Sequence, residues 1–161
     1  MKNPTTVERT SERELVVTRT FNAPAHIVYE AWARPELLRR WWVPKSFGIT
    51  LVSCDADVRT GGTYRFVFSH PASEQPMAFF GRYIEVTPNS RIVWTNEESA
   101  DGPVTTVTFE ERDGRTLLVL RELYPSSEAL DAAIASGSTG TGAAGEQFDT
   151  LDEVLVTLAR P

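Results

Sequence analysis

Five apolar runs follow one another between residues 63 and 123, and the breaks between them are too short to hold a crossover helix. They read TYRFVFS, AFFGRYIEVT, SRIVWTNEE, VTTVTFEE and RTLLVLREL. Parallel neighbours in a sheet need a connection of a dozen residues or more, so these runs can pair only as an antiparallel meander. The separators suit that path: Pro88-Asn89, Asp101-Gly102-Pro103 and Asp113-Gly114 are all turn formers. Asp113-Gly114, between two alternating runs, is the strongest hairpin signal. In TYRFVFS a period of two puts Tyr64, Phe66 and Phe68 on one face, against Thr63, Arg65 and Val67.

Helical periodicity flanks the meander. Residues 1–13 are polar and read as a flexible tail, leaving 14–161 as one domain. ELVVTRTF opens that domain as a strand and stops at Asn22-Ala23-Pro24, where Pro24 suits a first helical turn. AHIVYEAWAR then pairs Val28 with Trp32 and Ile27 with Ala31 at helical spacing. Pro35 breaks this helix, and ELLRRWW makes a second short one before the strand ITLVSCDADV. Neither helix is long enough to stand alone, so their apolar faces need the sheet. SSEALDAAIAS and EQFDTLDEVLVTLA close the chain as helices. The last carries Phe148, Leu151, Leu155 and Leu158 on one stripe, with Glu146, Asp149, Asp152 and Glu153 expected on a solvated face. The class is therefore α+β.

Charge and cysteine usage exclude several functions. The net charge is −6, with five of those charges after residue 122, which argues against a nucleic-acid partner. No run approaches the ~20 apolar residues of a spanning helix, and the first twenty residues lack the apolar core of a secretory leader. Cys54 is alone, so no intrachain disulfide forms and a cytoplasmic location is expected. One cysteine and two scattered histidines give no metal site, and Asp55-x-Asp57 lacks the later ligands of a calcium loop. Gly140-Thr141-Gly142-Ala143-Ala144-Gly145 matches G-x-G-x-x-G, but no strand precedes it and no βαβ unit follows. SGSTGTGAAG is better read as a flexible connection between two helices. No cofactor is expected, and no nucleophile elbow is present.

The aromatic residues carry the positive signal. Trp41 and Trp42 adjoin, and consecutive helical residues cannot both face one core, so one is an anchor and the other lines a mouth or lies on the following loop. Tyr64, Phe66 and Phe68 form one stripe; Phe79, Gly81 and Tyr83 form another, with a glycine where a ring would stand. These rings either fill a core or line a ligand cavity in a curved sheet. The candidate lining residues are Trp41, Tyr64, Phe66, Phe79, Tyr83 and Trp94, with Arg82 and Glu122 as candidate polar groups in the cavity. Alternation leaves the inward face of the last strand open, because Leu117 through Leu120 are all apolar.

In order, RTFNAPAHIVYEAWARPELLRRWWVP, SCDADVRTGGTYRF, FFGRYIEVTPNSRIVWT, VTTVTFEERDGRTLLVLRE and EQFDTLDEV resemble the START-like (SRPBCC) superfamily, and within it the family of the activator of Hsp90 ATPase. The resemblance spans about residues 14–158. It implies a helix-grip fold: a curved antiparallel sheet around a long C-terminal helix, with two short helices after the first strand. It also implies an interior for a small apolar or amphipathic molecule. Two other functions come with it. One is regulation of an Hsp90-type chaperone; the other is cyclase- or aromatase-like catalysis by an inward acid–base pair drawn from Arg82, Glu122, His26 or Tyr83. Monomer and homodimer are both open.

Overall fold

Every strand pairs antiparallel with its neighbours, as the short turns require. The computed structural model describes residues 3–43, 46, 48–71, 74–97, 100, 102–136 and 144–158. In chain order the elements are β1 Thr6–Arg9, β2 Glu14–Phe21, α1 Ala25–Ala33, α2 Pro35–Leu38, β3 Thr50–Ala56, β4 Thr63–Ser69, β5 Met77–Thr87, β6 Arg91–Thr95, β7 Val104–Arg112, β8 Arg115–Leu123, α3 Ser127–Ser136 and α4 Ala144–Leu158. The strands form one curved sheet in the order β1-β2-β8-β7-β6-β5-β4-β3. Thus β3 to β8 run as the expected meander, and β2 docks on β8. The β7–β8 hairpin closes on Asp113 and Gly114, both at positive φ, the backbone that an Asp-Gly pair adopts at least cost.

Within 1–13, the structure corrects the expected flexible tail for residues Thr6–Arg9, which form β1. All four are exposed, so only backbone pairing with β2 marks the strand. Without buried apolar alternation, the sequence carries no strand signal there.

Local chemistry fixes the helices. Pro24 is extended and caps α1, while the Ala25 N–H donates to the Glu111 carboxylate on β7 at 2.7 Å. Arg34 is held extended by the proline after it, which ends α1, and Pro35 starts α2. Ser126 caps α3, its Oγ accepting from the Ala129 N–H at 3.1 Å. Most of the glycine-rich connection, 137–143, lies outside the described residues.

The register settles the inward face of β8. Leu15, Val17, Arg19 and Phe21 of β2 stand opposite Glu122, Leu120, Leu118 and Thr116, so the even residues of β8 share the concave face. That face and the apolar sides of α1, α2 and α4 enclose one core, with Val28, Trp32, Phe148 and Leu151 from the helices and Trp41 from the turn after α2, where the helix expected through Trp42 stops at Leu38. A smaller cluster of Leu15, Tyr124 and Leu130 lies under α3.

Candidate functional site

All four tryptophans meet in one place. Trp32 on α1 packs against Trp41, Trp42, Trp94, Phe109 and Phe148, with ring centroids 4.7 to 6.3 Å apart and mostly edge-to-face. Trp42 touches Phe66 at 5.6 Å and Trp94 at 6.5 Å, and Tyr64 continues the chain of rings to Tyr83 at 5.6 Å. The aromatic stripes of the sheet thus join Trp32 of α1 and the two tryptophans of the turn after α2 in one continuous wall. Such contacts favour offset and T-shaped geometry because ring faces are negative and ring edges positive.

The adjacent tryptophans divide their roles. Trp41 is 1% exposed, and its indole N–H donates to the Ala31 carbonyl at 3.0 Å, which makes it the anchor. Trp42 stays half-buried, its ring against Phe66 and Trp94. Its segment is tied to α4: Gln147 donates to the Trp42 carbonyl, and the Glu146 carboxylate accepts from the Ser46 N–H at 2.9 Å.

The other candidates fall into distinct places. Tyr64, Phe66, Tyr83 and Trp94 are buried on the concave face. The Tyr64 hydroxyl reaches over Gly81, its cross-strand partner, and donates to the Thr95 carbonyl at 2.6 Å. A Cβ at Gly81 would lie 2.2 Å from that same oxygen, which is why a glycine interrupts the stripe. Phe79 lies opposite Phe66 and packs on Phe68 at 5.1 Å, but it is 42% exposed, at the open end of the sheet.

Arg82 is corrected. Alternation puts it on the face opposite Gly81 and Tyr83, exposed and ion-paired with Glu97 at 2.8 Å. It lines an open polar hollow of about 320 Å³ with Asn96, Glu97 and Pro103, away from the rings. His26 is exposed too. Glu122 does face inward and is 5% exposed. The register runs Tyr83–Trp94–Thr105–Glu122 across β5, β6, β7 and β8. Three strand spacings of ~4.8 Å separate the phenol-bearing strand from the carboxylate-bearing one, roughly 14 Å of backbone.

The polar groups nearest the rings are neutral. Burial raises Tyr83 well above the ordinary phenol range and raises Tyr29 less. Cys54, opposite Phe66 on β3, is pushed up to about 11, chiefly by burial. Its Sγ lies 3.7 Å from the Pro35 carbonyl, so the thiol serves as a weak donor. Only the thiolate reacts, and its scarcity is partly offset by higher intrinsic nucleophilicity. Cys54 is therefore expected to react with a disulfide reagent at pH 8 roughly twenty-fold more slowly than a free cysteine, by the same arguments. Thiol-release kinetics check this, and labelling as fast as in the unfolded chain contradicts it. Among the described residues, no group of three or more His, Cys, Asp or Glu side chains is placed to hold a metal ion. No helix among them is long and apolar enough to cross a membrane.

Sequence reasoning missed Arg19. Although its side chain is only 1% exposed, it reaches the Asp149 carboxylate at 2.9 Å, the Asp152 carboxylate and the Thr5 hydroxyl. With Glu146 on Ser46, three of the four acids expected on the solvated face of α4 instead fasten it to the sheet and to the Trp42 segment. Glu153 is the one that faces solvent.

Comparison with known proteins agrees with this architecture. A protein of Rhodobacter sphaeroides superposes with a TM-score of 0.84 at 24% identity, over 96% of this chain and 99% of that chain. A Mycobacterium smegmatis protein gives 0.76 at 25%, over 96% and 99%. A Nitrosomonas europaea protein gives 0.79 at 22%, over 94% and 99%. No curated protein matches the sequence. The family model described as "Activator of Hsp90 ATPase homolog 1-like protein" matches residues 22–155, and with the helix-grip architecture this makes the chain a member of that family.

Proposed function

We propose that the protein binds a small apolar or amphipathic molecule between the concave face of the sheet and helices α1, α2 and α4. The observation that carries this reading is a set of apolar side chains that pack on the core yet remain partly open to solvent. They include Tyr29, Trp42, Leu51, Cys54, Val58 and Val86, contributed by the helix layer on one side and the sheet on the other. A finished core buries such groups, because each exposed apolar Å² forgoes roughly 25 cal/mol. Tyr64, Phe66, Tyr83 and Trp94 supply the wall and Phe79 extends it toward the open end. Neutral phenols and a protonated thiol suit an uncharged or amphipathic guest, and an unoxidised Cys54 suits the cytoplasm.

Because all four tryptophans lie in the one cluster, titration of a panel of hydrophobic compounds is expected to change the intrinsic fluorescence and raise the melting temperature together. A panel that moves neither signal overturns the reading. The family's description also points to Hsp90 ATPase activation. Unchanged turnover of the cognate chaperone on adding this protein is the expected result here, since the features above are directed inward.

A further inference from the structure

Trp32 sits at the centre of the ring cluster, 3% exposed, and its indole Nε1 has no hydrogen-bond partner among the described residues. Its neighbour Trp41 shows the ordinary arrangement, an indole N–H given to a backbone carbonyl. A buried donor without an acceptor is costly and rare in folded proteins, and it persists where something else completes it. Among the described residues no acceptor oxygen makes a hydrogen bond to it, and Trp41, Trp42, Trp94, Phe109 and Phe148 crowd the ring on several sides. Two of those rings, Trp42 and Trp94, also belong to the wall assigned to the guest.

We infer that the guest carries a hydrogen-bond acceptor oxygen on an otherwise apolar frame, a ketone, ester or ether, and that the Trp32 indole N–H donates to it. This rests on the interior-binding reading above and narrows it from any hydrophobe to one chemical class. An uncharged oxygen is specified because a charged one would shed its hydration against a wall of rings. Trp32 then sets specificity, while Trp42 and Phe66 contribute area.

The test compares two nearly isosteric probes, 2-acetylnaphthalene and 2-isopropenylnaphthalene, which differ in a carbonyl oxygen replaced by a methylene. The ketone is expected to bind the wild-type protein about tenfold more tightly than the alkene. In Trp32→Phe the two should bind equally. The indole ¹H–¹⁵N resonance of Trp32 in the wild-type protein should move downfield with the ketone and not with the alkene, a readout that survives even if the variant folds poorly. Equal wild-type affinities, or a Trp32 resonance already at a hydrogen-bonded position before any probe is added, overturn the inference and leave interior binding standing. If the broad panel yields ligands but none bears an acceptor oxygen, the inference also fails. If no compound binds at all, both readings fail.

Discussion

Replacing Asp149 and Asp152 together by Ala is expected to destabilise the protein by about 3–5 kcal/mol, or about 10 °C in melting temperature for a chain of this size. Both substitutions favour helix propensity, so the loss runs against the local preference of α4. It arises because the Arg19 guanidinium, 1% exposed, keeps its charge and loses both carboxylates. Among the described residues, Thr5 Oγ1 alone remains to accept from it. Adding Arg19→Met to the double variant should recover most of the loss, since an apolar side chain of similar length carries no charge to strand. Chemical denaturation of the three proteins checks both statements. A double variant within 1 kcal/mol of wild type shows instead that the helix is held by its apolar stripe alone.

The second large effect separates the two adjacent tryptophans. Trp41→Ala is expected to cost about 3–5 kcal/mol, because it opens a void in a filled part of the core and strips the Ala31 carbonyl of its donor. Trp42→Ala should cost about 1–2 kcal/mol, as befits a half-buried ring, yet weaken ligand binding by about tenfold. Denaturation midpoints and ligand titrations on the same two samples read both effects. A Trp42 variant that loses stability but binds as well as wild type would make that ring structural as well.

The fold was largely legible because its signals are local. Turn residues at 88–89 and 113–114 and the breaks at Pro24 and Pro35 each act within a few residues, and the observed β5–β6 and β7–β8 turns and the ends of α1 follow them. The inward face of β8 was illegible because four successive leucine and valine residues satisfy either face, and only pairing with β2 decides. The β1 strand was hidden for the opposite reason, since none of its residues is buried.

The site was legible as an aromatic content and not as an arrangement. Tyr64, Phe66, Tyr83 and Trp94 could be placed by period-two alternation, and the same alternation that turns Tyr83 inward sends its neighbour Arg82 outward, a signal that the sequence reading overlooked. Trp42 and Trp41 are indistinguishable by spacing, because which of two neighbours turns inward depends on the bend after α2. Arg19 sits in an apolar strand like any cross-strand charge, and its carboxylate partners lie 130 and 133 residues further on. No local pattern announces a pair of that separation. An inward-pointing arginine on a strand, paired in phase with Val17 and Phe21, is the one clue the sequence offered.

The central claim is that the ring-lined interior takes up a small molecule. Indole ¹H–¹⁵N spectra of the four tryptophans, recorded with and without a saturating ligand from the panel, test it most directly. The account predicts that the Trp42 and Trp94 signals move with any bound ligand, that the Trp32 signal moves as well where the ligand carries an acceptor oxygen, and that the Cys54 thiol becomes slower still to label. Unmoved indole signals, with all perturbation confined to the outer face of the sheet or the hollow beside Arg82, would contradict it.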